Sequence, residues 1–395
     1  MTRRHRWHTS LALAASTTLF LTACGTDGPE IEREPYPVQE SLPEADTSTM
    51  RLPIPFEDLT VVDPGWDLTP QYADNVHLAA GEHDGVVDFT AVDAHGEPLW
   101  AVQRPAGHEG FSVTTDGTGQ ALAVLGDEQN TTDASADDTA TAYDLLTGER
   151  TWGPVEVPGP HQGPGLVFAA PSEETGDDNG TRTALDADTG DTAVTDSDTS
   201  HIIGEYHGTV LVAESETLIA LDTGDGRELW HMPLAEHGWE AESLRASPHP
   251  PPADGLALIE TSPSGGALLD LEEGVVLNET AQEAAVDTTT DTLVVRDKTG
   301  LHAYDADHQR LWSLSVGPET TIAALGGVLL YLREEGSVRV HNVTTGEVAE
   351  AYDPQGEGTI IVPEDITADG VALLVDEDRH LLAASPEAGT EGSEP

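Results

Sequence analysis

The chain has 395 residues, and its 73 Asp and Glu against 16 Lys and Arg give a formal net charge of −57. That balance argues against a nucleic-acid grip, which needs Lys and Arg clustered on phosphates, and Lys298 is the sole lysine. Cys24 is the sole cysteine, which excludes intramolecular disulfides, thiolate zinc sites and Cys-Cys redox pairs. Hydrophobic residues at 37%, with 39 Gly, still leave enough apolar material for a sizeable core.

The N-terminus reads as an export signal. Arg3, Arg4 and Arg6 form a basic start, and Leu11 to Leu21 form an apolar run too short to span a bilayer, which takes roughly 20 residues. The Arg3-Arg4 pair hints at twin-arginine export, but no hydrophobic consensus follows it directly. The run ends at Leu21-Thr22-Ala23-Cys24-Gly25, which resembles the lipobox of bacterial lipoproteins. The resemblance implies cleavage between Ala23 and Cys24, lipid attachment at Cys24, and a location on the outer side of the cell membrane. Residues 24–58, rich in Asp, Glu, Pro, Ser and Thr with little apolar periodicity, are expected to form an acidic flexible tether. The acidity itself has two readings: a solvation adaptation, favoured by its spread along the whole chain, or a surface for cations or basic partners.

From residue 59 a repeat takes over. Phe89-Thr90-Ala91-Val92-Asp93 leads to Leu99-Trp100, and Thr141-Ala142-Tyr143-Asp144 leads to Trp152. Leu218-Ile219-Ala220-Leu221-Asp222 leads to Leu229-Trp230, and Leu301-His302-Ala303-Tyr304-Asp305 leads to Leu311-Trp312. The step from Asp to Trp is seven or eight residues each time. Copies without Trp are anchored at Asp186, Asp270, Asn342 and Ser385, making eight anchors spaced 35 to 51 residues apart. Short β-branched and apolar runs favour strands. Asp caps a turn through its side chain, and Gly supplies the positive φ that closes a hairpin. A Trp on the following strand can wedge against the next sheet, and units that cannot cover both faces alone stack radially.

The expected fold is therefore all-β, an eight-bladed β-propeller of four-stranded antiparallel blades over residues 59–389, with seven blades as the alternative. Gly65-Trp66-Asp67-Leu68 carries a Trp but no Asp-Gly hairpin before it, whereas the last anchor has only a polar tail after it. This predicts a ring closed by an N-terminal strand, with Trp66 completing the final blade. Residues 390–395 are expected to be a disordered tail. The unit resembles the PQQ-like (pyrrolo-quinoline quinone-like) repeat, an apolar-Ala-Leu-Asp-x-x-Thr-Gly-Glu-x-x-Trp pattern carried in full by four copies.

Three insertions interrupt the rhythm. Gly126 to Ala140 and Pro171 to Thr181 read as polar surface loops. Glu236 to Gly255 holds His237, Trp239, His249 and Pro250-Pro251-Pro252. His237 and Trp239 are the candidate partner contacts, the other reading being a long connection whose Trp239 folds back on a blade. Asp186-Ala187-Asp188-Thr189-Gly190-Asp191 resembles a calcium loop in composition, but it lacks a distal bidentate Glu and falls on the repeat's own hairpin. No metal is expected there. The histidines show no ligand spacing, and there is no Gly-x-Ser-x-Gly elbow or phosphate-binding Gly-rich loop.

Quinoprotein dehydrogenases share the repeat, but those that oxidise alcohols add a disulfide of adjacent cysteines beside the quinone, which this chain cannot form. No bound quinone or other cofactor is expected. The overall plan is similar to lipid-anchored propellers that scaffold outer-membrane assembly. It implies a non-catalytic scaffold or binding module, held on the membrane by its lipid, with a protein or envelope-polymer partner and no nucleic acid. A quinone-dependent oxidoreductase is the alternative.

Overall fold

The computed structural model describes residues 31–107, 110–128, 138–171, 180–262, 265–377 and 379–385. The expected signal peptide, Cys24 and the tail at 390–395 lie outside them, as does the greater part of the two polar loops. The described residues form eight antiparallel sheets and one two-stranded parallel ladder, with no α-helix.

Each sheet is a blade, its strands ordered from the ring's centre outwards. The first is Gln71–Ala73, Val76–His83, Val86–Asp93 and Pro98–Pro105. The second is Phe111–Thr115, Ala121–Glu128, Asp138–Asp144 and Arg150–Glu156. Blade 3 has Val167–Ala169, Arg182–Leu185 and Thr192–Thr195, its inner edge reduced to a bridge between His161 and Phe168. Blade 4 runs through Ser200–Tyr206, Thr209–Glu214, Thr217–Asp222 and Glu228–Pro233. In blade 5 the innermost strand is only Arg245–Ala246, followed by Leu256–Ser262, Gly265–Asp270 and Val275–Asn278. Blade 6 comprises Ala281–Asp287, Thr292–Asp297, Gly300–Tyr304 and Arg310–Leu314. Blade 7 has Thr321–Gly326, Leu329–Glu334 and Ser337–Asn342, its outer edge reduced to a bridge between His341 and Val348. Pro363–Ile366, Ala372–Asp376 and Arg379–Ala384 make blade 8, whose outer strand is Thr60–Trp66 from the start of the fold. The count is eight, and the N-terminal strand closes the ring.

The repeat is the joint between blades. Each Trp lies opposite the Ala two residues before the Asp: Ala91 faces Trp100, Ala142 faces Trp152, Ala220 faces Trp230 and Ala303 faces Trp312. These alanines are fully buried, and a larger side chain there would fill the space the indole uses. The Asp closes the turn with its carboxylate, as when Asp144 Oδ1 accepts from the Thr147 backbone N–H at 2.6 Å. The indole then reaches the corresponding turn of the next blade. Trp100 Nε1 donates to Leu145 O at 2.8 Å, Trp152 to Ala187 O at 2.7 Å, Trp230 to Leu271 O at 2.6 Å and Trp312 to Val343 O at 2.6 Å. Every acceptor is the residue after an anchor.

At the closing seam Trp66 plays a different part. The strand carrying it runs from Thr60 rather than from Gly65, with Val61 opposite Ala383 and Trp66 opposite His380. Trp66 is fully buried among Val76, Leu78 and other side chains of blade 1, but its Nε1 has no acceptor among the described residues. Val62 meets the blade 1 turn instead, where a Cβ on Gly96 would lie 3.3 Å from Val62 Cγ2. Trp66 thus fills the seam without repeating the turn contact of Trp100.

The expected tether at 24–58 needs correction from Ile31 onwards. Tyr36–Pro37 pairs with the outer strand of blade 1, and Ala45 N–H donates to Val61 O at 2.8 Å on blade 8. Met50–Arg51 pairs in parallel with Thr359–Ile360, and Leu52 and Phe56 are buried against blades 7 and 8. At the other end Glu34 holds Arg150 of blade 2 at 2.6 Å. The segment straps the outer edges of blades 2, 1, 8 and 7. Its grip is largely backbone pairing, which needs no apolar periodicity, so its polar composition conceals it.

Two predictions follow from the joints. Gly226 and Gly274 have similar left-handed φ values of +67° and +65°, so Ala strains both backbones alike. A Cβ on Gly274 would lie 2.7 Å from Trp230 Cγ, whereas one on Gly226 meets nothing within 4 Å. In thermal melts Gly274→Ala should therefore cost about 1–3 kcal/mol more than Gly226→Ala. For the strap, Phe56→Ala should cost about 3–5 kcal/mol, measured by denaturant unfolding. A neutral Phe56→Ala would mean that the strap is not part of the folded body.

Candidate binding site

Strand topology sorts the loops into two faces. Connections from one blade's outer strand to the next blade's inner strand share a face with the turns between second and third strands. The remaining hairpins, including every Asp-anchored turn, lie on the opposite face.

The insertion at Glu236 to Gly255 does not form one surface. The short inner strand Arg245–Ala246 divides it, so His237 and Trp239 lie at one face and His249, the proline run and Asp254 at the other. His237 stacks on Trp239 with ring centroids 4.7 Å apart, and its Nδ1 lies 3.0 Å from Glu279 Oε1. Trp239 N–H donates to Leu234 O at 3.1 Å, and the indole packs on the core shared by blades 4 and 5. The ring folds back as a half-buried brace for the connection. On the far face Asp254 meets His207 Nε2 at 3.3 Å.

Beside that brace, on the His237 face, lies a cleft of about 400 Å³ lined by Gly180, Arg182, Asp196, His201, Glu242 and Arg245. Blades 3, 4 and 5 each contribute. Asp196 spends its two carboxylate oxygens on backbone, accepting from Arg182 N–H at 3.0 Å and Ile202 N–H at 2.6 Å. This fixes the connection from blade 3 to blade 4 and sets Arg182 beside His201. Arg182 Nη1 donates to Ile202 O at 3.1 Å. Arg245 Nη1 donates to Leu244 O at 2.6 Å, and His201 Nε2 lies 3.2 Å from the same oxygen. None of these residues stands in a recognisable sequence motif. They are spread over 66 positions and no local motif joins them; the available signal was the scarcity of basic residues.

Other titratable groups serve the frame. Glu205 is buried and accepts from Leu166 N–H at 2.9 Å and Gly208 N–H at 2.6 Å, burial raising its pKa above the ordinary carboxylate range. His161 Nε2 lies 2.6 Å from Gly165 O, and burial lowers its pKa. The Asp186 turn closes on itself through Thr189 and accepts from Thr223 Oγ1 at 3.1 Å. Among the described residues no three His, Cys, Asp or Glu are grouped to hold a metal ion. Ser313 Oγ lies 2.9 Å from His302 Nδ1, and His302 Nε2 lies 3.2 Å from Asp297 Oδ1. Because His302 and Ser313 are paired across adjacent strands, their contact is that of a cross-strand polar pair.

Residues 136–301, less than half of the chain, match the family model described as "Outer membrane protein assembly factor BamB". No curated protein matches the sequence. Similar solved structures include Saccharomyces cerevisiae Sqt1, at 13% identity and a TM-score of 0.40, covering 90% of this chain and 98% of that one. Citrobacter koseri AztD is another, at 14% identity and a TM-score of 0.40, covering 74% of this chain and 87% of that one. The molecule is an eight-bladed β-propeller, and the stretch 136–301 is similar to PQQ-like repeats.

One buried group makes a pH prediction. His77 is 2% exposed, stacks on Tyr72 and has no hydrogen-bond partner among the described residues on either ring nitrogen. Burial pushes its pKa from the ordinary 6.5 down to about 4, so the folded chain keeps it neutral where the unfolded chain protonates it. Its stabilisation is complete above pH 6.5 and is lost as pH falls towards 4, by roughly 3 kcal/mol in all. His77→Phe should remove that share of the acid destabilisation, as read from the difference between wild-type and variant unfolding curves from pH 7 to 4.

Proposed function

We propose that this propeller is a non-catalytic binding module, lipidated on Cys24 after cleavage behind Ala23 and displayed on the outer side of the cell membrane. Its partner is a protein or envelope polymer, received on the face that carries the cleft and the His237–Trp239 brace. The observation that carries the reading is the clustering there of the cleft and of the first part of the insertion with its His237–Trp239 brace, whereas the opposite face carries the Asp-anchored hairpins and the remainder of the insertion. The match to an assembly-factor family model over residues 136–301 spans this same region and supports a scaffold role. A quinone fits the chain poorly, because Cys24 is the only cysteine and cannot form the adjacent-cysteine disulfide of alcohol-oxidising relatives. No redox step is assigned.

A photo-crosslinking residue at exposed Glu240, on the binding face, should give a discrete adduct in intact cells. The same residue at Leu146, 59% exposed on the opposite face, should not. Equal labelling at both positions would overturn the assignment of the face. Cys24→Ala should abolish incorporation of labelled fatty acid and release the protein from membranes. A variant that is processed yet still membrane-bound would overturn the anchoring.

A further inference from the structure

We infer that the cleft between blades 3, 4 and 5 is an anion-binding site that takes a carboxylate or phosphate group of the ligand. This rests on the binding-module reading and gives that face its chemistry. Basic side chains are scarce in this protein. Of the twelve arginines from Arg33 onwards, seven have a carboxylate within 4 Å: Arg33, Arg104, Arg150, Arg227, Arg296, Arg339 and Arg379. With acids outnumbering bases more than four to one, such pairing is the expected fate of a guanidinium. Among the described residues Arg51, Arg182, Arg245, Arg310 and Arg333 depart from it, and of these five Arg182 and Arg245 line the same cleft.

Neither is fully used by the fold. A guanidinium carries five N–H donors, and the hydrogen bond from each of these two goes to a single backbone carbonyl. Asp196, which lines the same cleft, accepts from two backbone amides and forms no ion pair within 4 Å with either guanidinium. The remaining acid, Glu242, is exposed and makes no hydrogen bond or ion pair within the described chain. Two guanidiniums and an imidazole thus face a volume of small-ligand size, in the planar-fork geometry that suits carboxylate and phosphate oxygens. The surrounding field of a strongly acidic protein repels anions, so selectivity must come from these short-range contacts.

The test is isothermal titration of the purified full chain with sodium succinate and, separately, inorganic phosphate, at ionic strength matched with sodium chloride. Saturable binding of either probe is expected, and the arm that binds more tightly identifies the group. Arg245→Met, which alters an exposed side chain, should weaken binding at least tenfold with an unchanged melting temperature. Glu242→Gln, which removes the opposing charge, should tighten it about threefold, an improvement that a misfolded protein would not produce. Heats indistinguishable from chloride dilution, or equal binding by wild type and Arg245→Met, would overturn the anion site. Such a failure with the Glu240 crosslink intact would leave the binding face standing, whereas loss of the crosslink with anion binding intact would sink the face and spare the site.

Discussion

The molecule depends on one contact repeated at four joints of the ring: a tryptophan on the outer strand of one blade docked on the Asp- or Asn-anchored turn of the next. The contact joins three effects that work only together. The carboxylate shapes the turn so that the carbonyl after it points at the neighbouring blade, the indole N–H takes that carbonyl, and a glycine lets the ring lie against the turn. Where the outer strand lacks Trp, as in blade 3, the next turn has no ring against its glycine, and nothing lies within 4 Å of a Cβ on Gly226. The ring is therefore held unevenly, with tight joints after blades 1, 2, 4 and 6.

Closing such a ring is the harder problem, because no peptide bond links the last strand to its partner. The chain solves it by lending Thr60–Trp66 to blade 8 and by carrying the preceding residues across the outer edges of blades 2, 1, 8 and 7. The strap also covers exposed strand edges, which otherwise invite pairing with other chains. Arg379 adds a polar fastening, with Nη1 2.7 Å from Asp63 on the latch strand.

Much of the ring was legible because its joints are local in sequence: Ala, Asp, Gly and Trp sit within about a dozen residues and recur at blade spacing. Trp66 betrayed the latch through a Trp without its own hairpin, although Val62 rather than Trp66 meets the neighbouring turn. The strap was missed because its bonds are made by backbone groups, which leave no pattern in a polar stretch. The site was hardest to read. Trp239 drew attention as a large aromatic in a long insertion, but its ring braces the loop. The cleft is assembled from Arg182, His201 and Arg245 on three blades, and only the three-dimensional meeting of two arginines without a carboxylate partner makes it stand out.

Hydrogen–deuterium exchange across the seam tests the closure most directly. Val62→Asp places a charge where the latch meets the Gly96 turn. Relative to wild type, exchange should accelerate first in Arg379–Ala384 and Val86–Asp93, on the two sides of the seam, and less in Thr209–Glu214 across the ring. Unchanged protection in Arg379–Ala384, or equal acceleration in Thr209–Glu214, would contradict a ring held shut by its N-terminal strand.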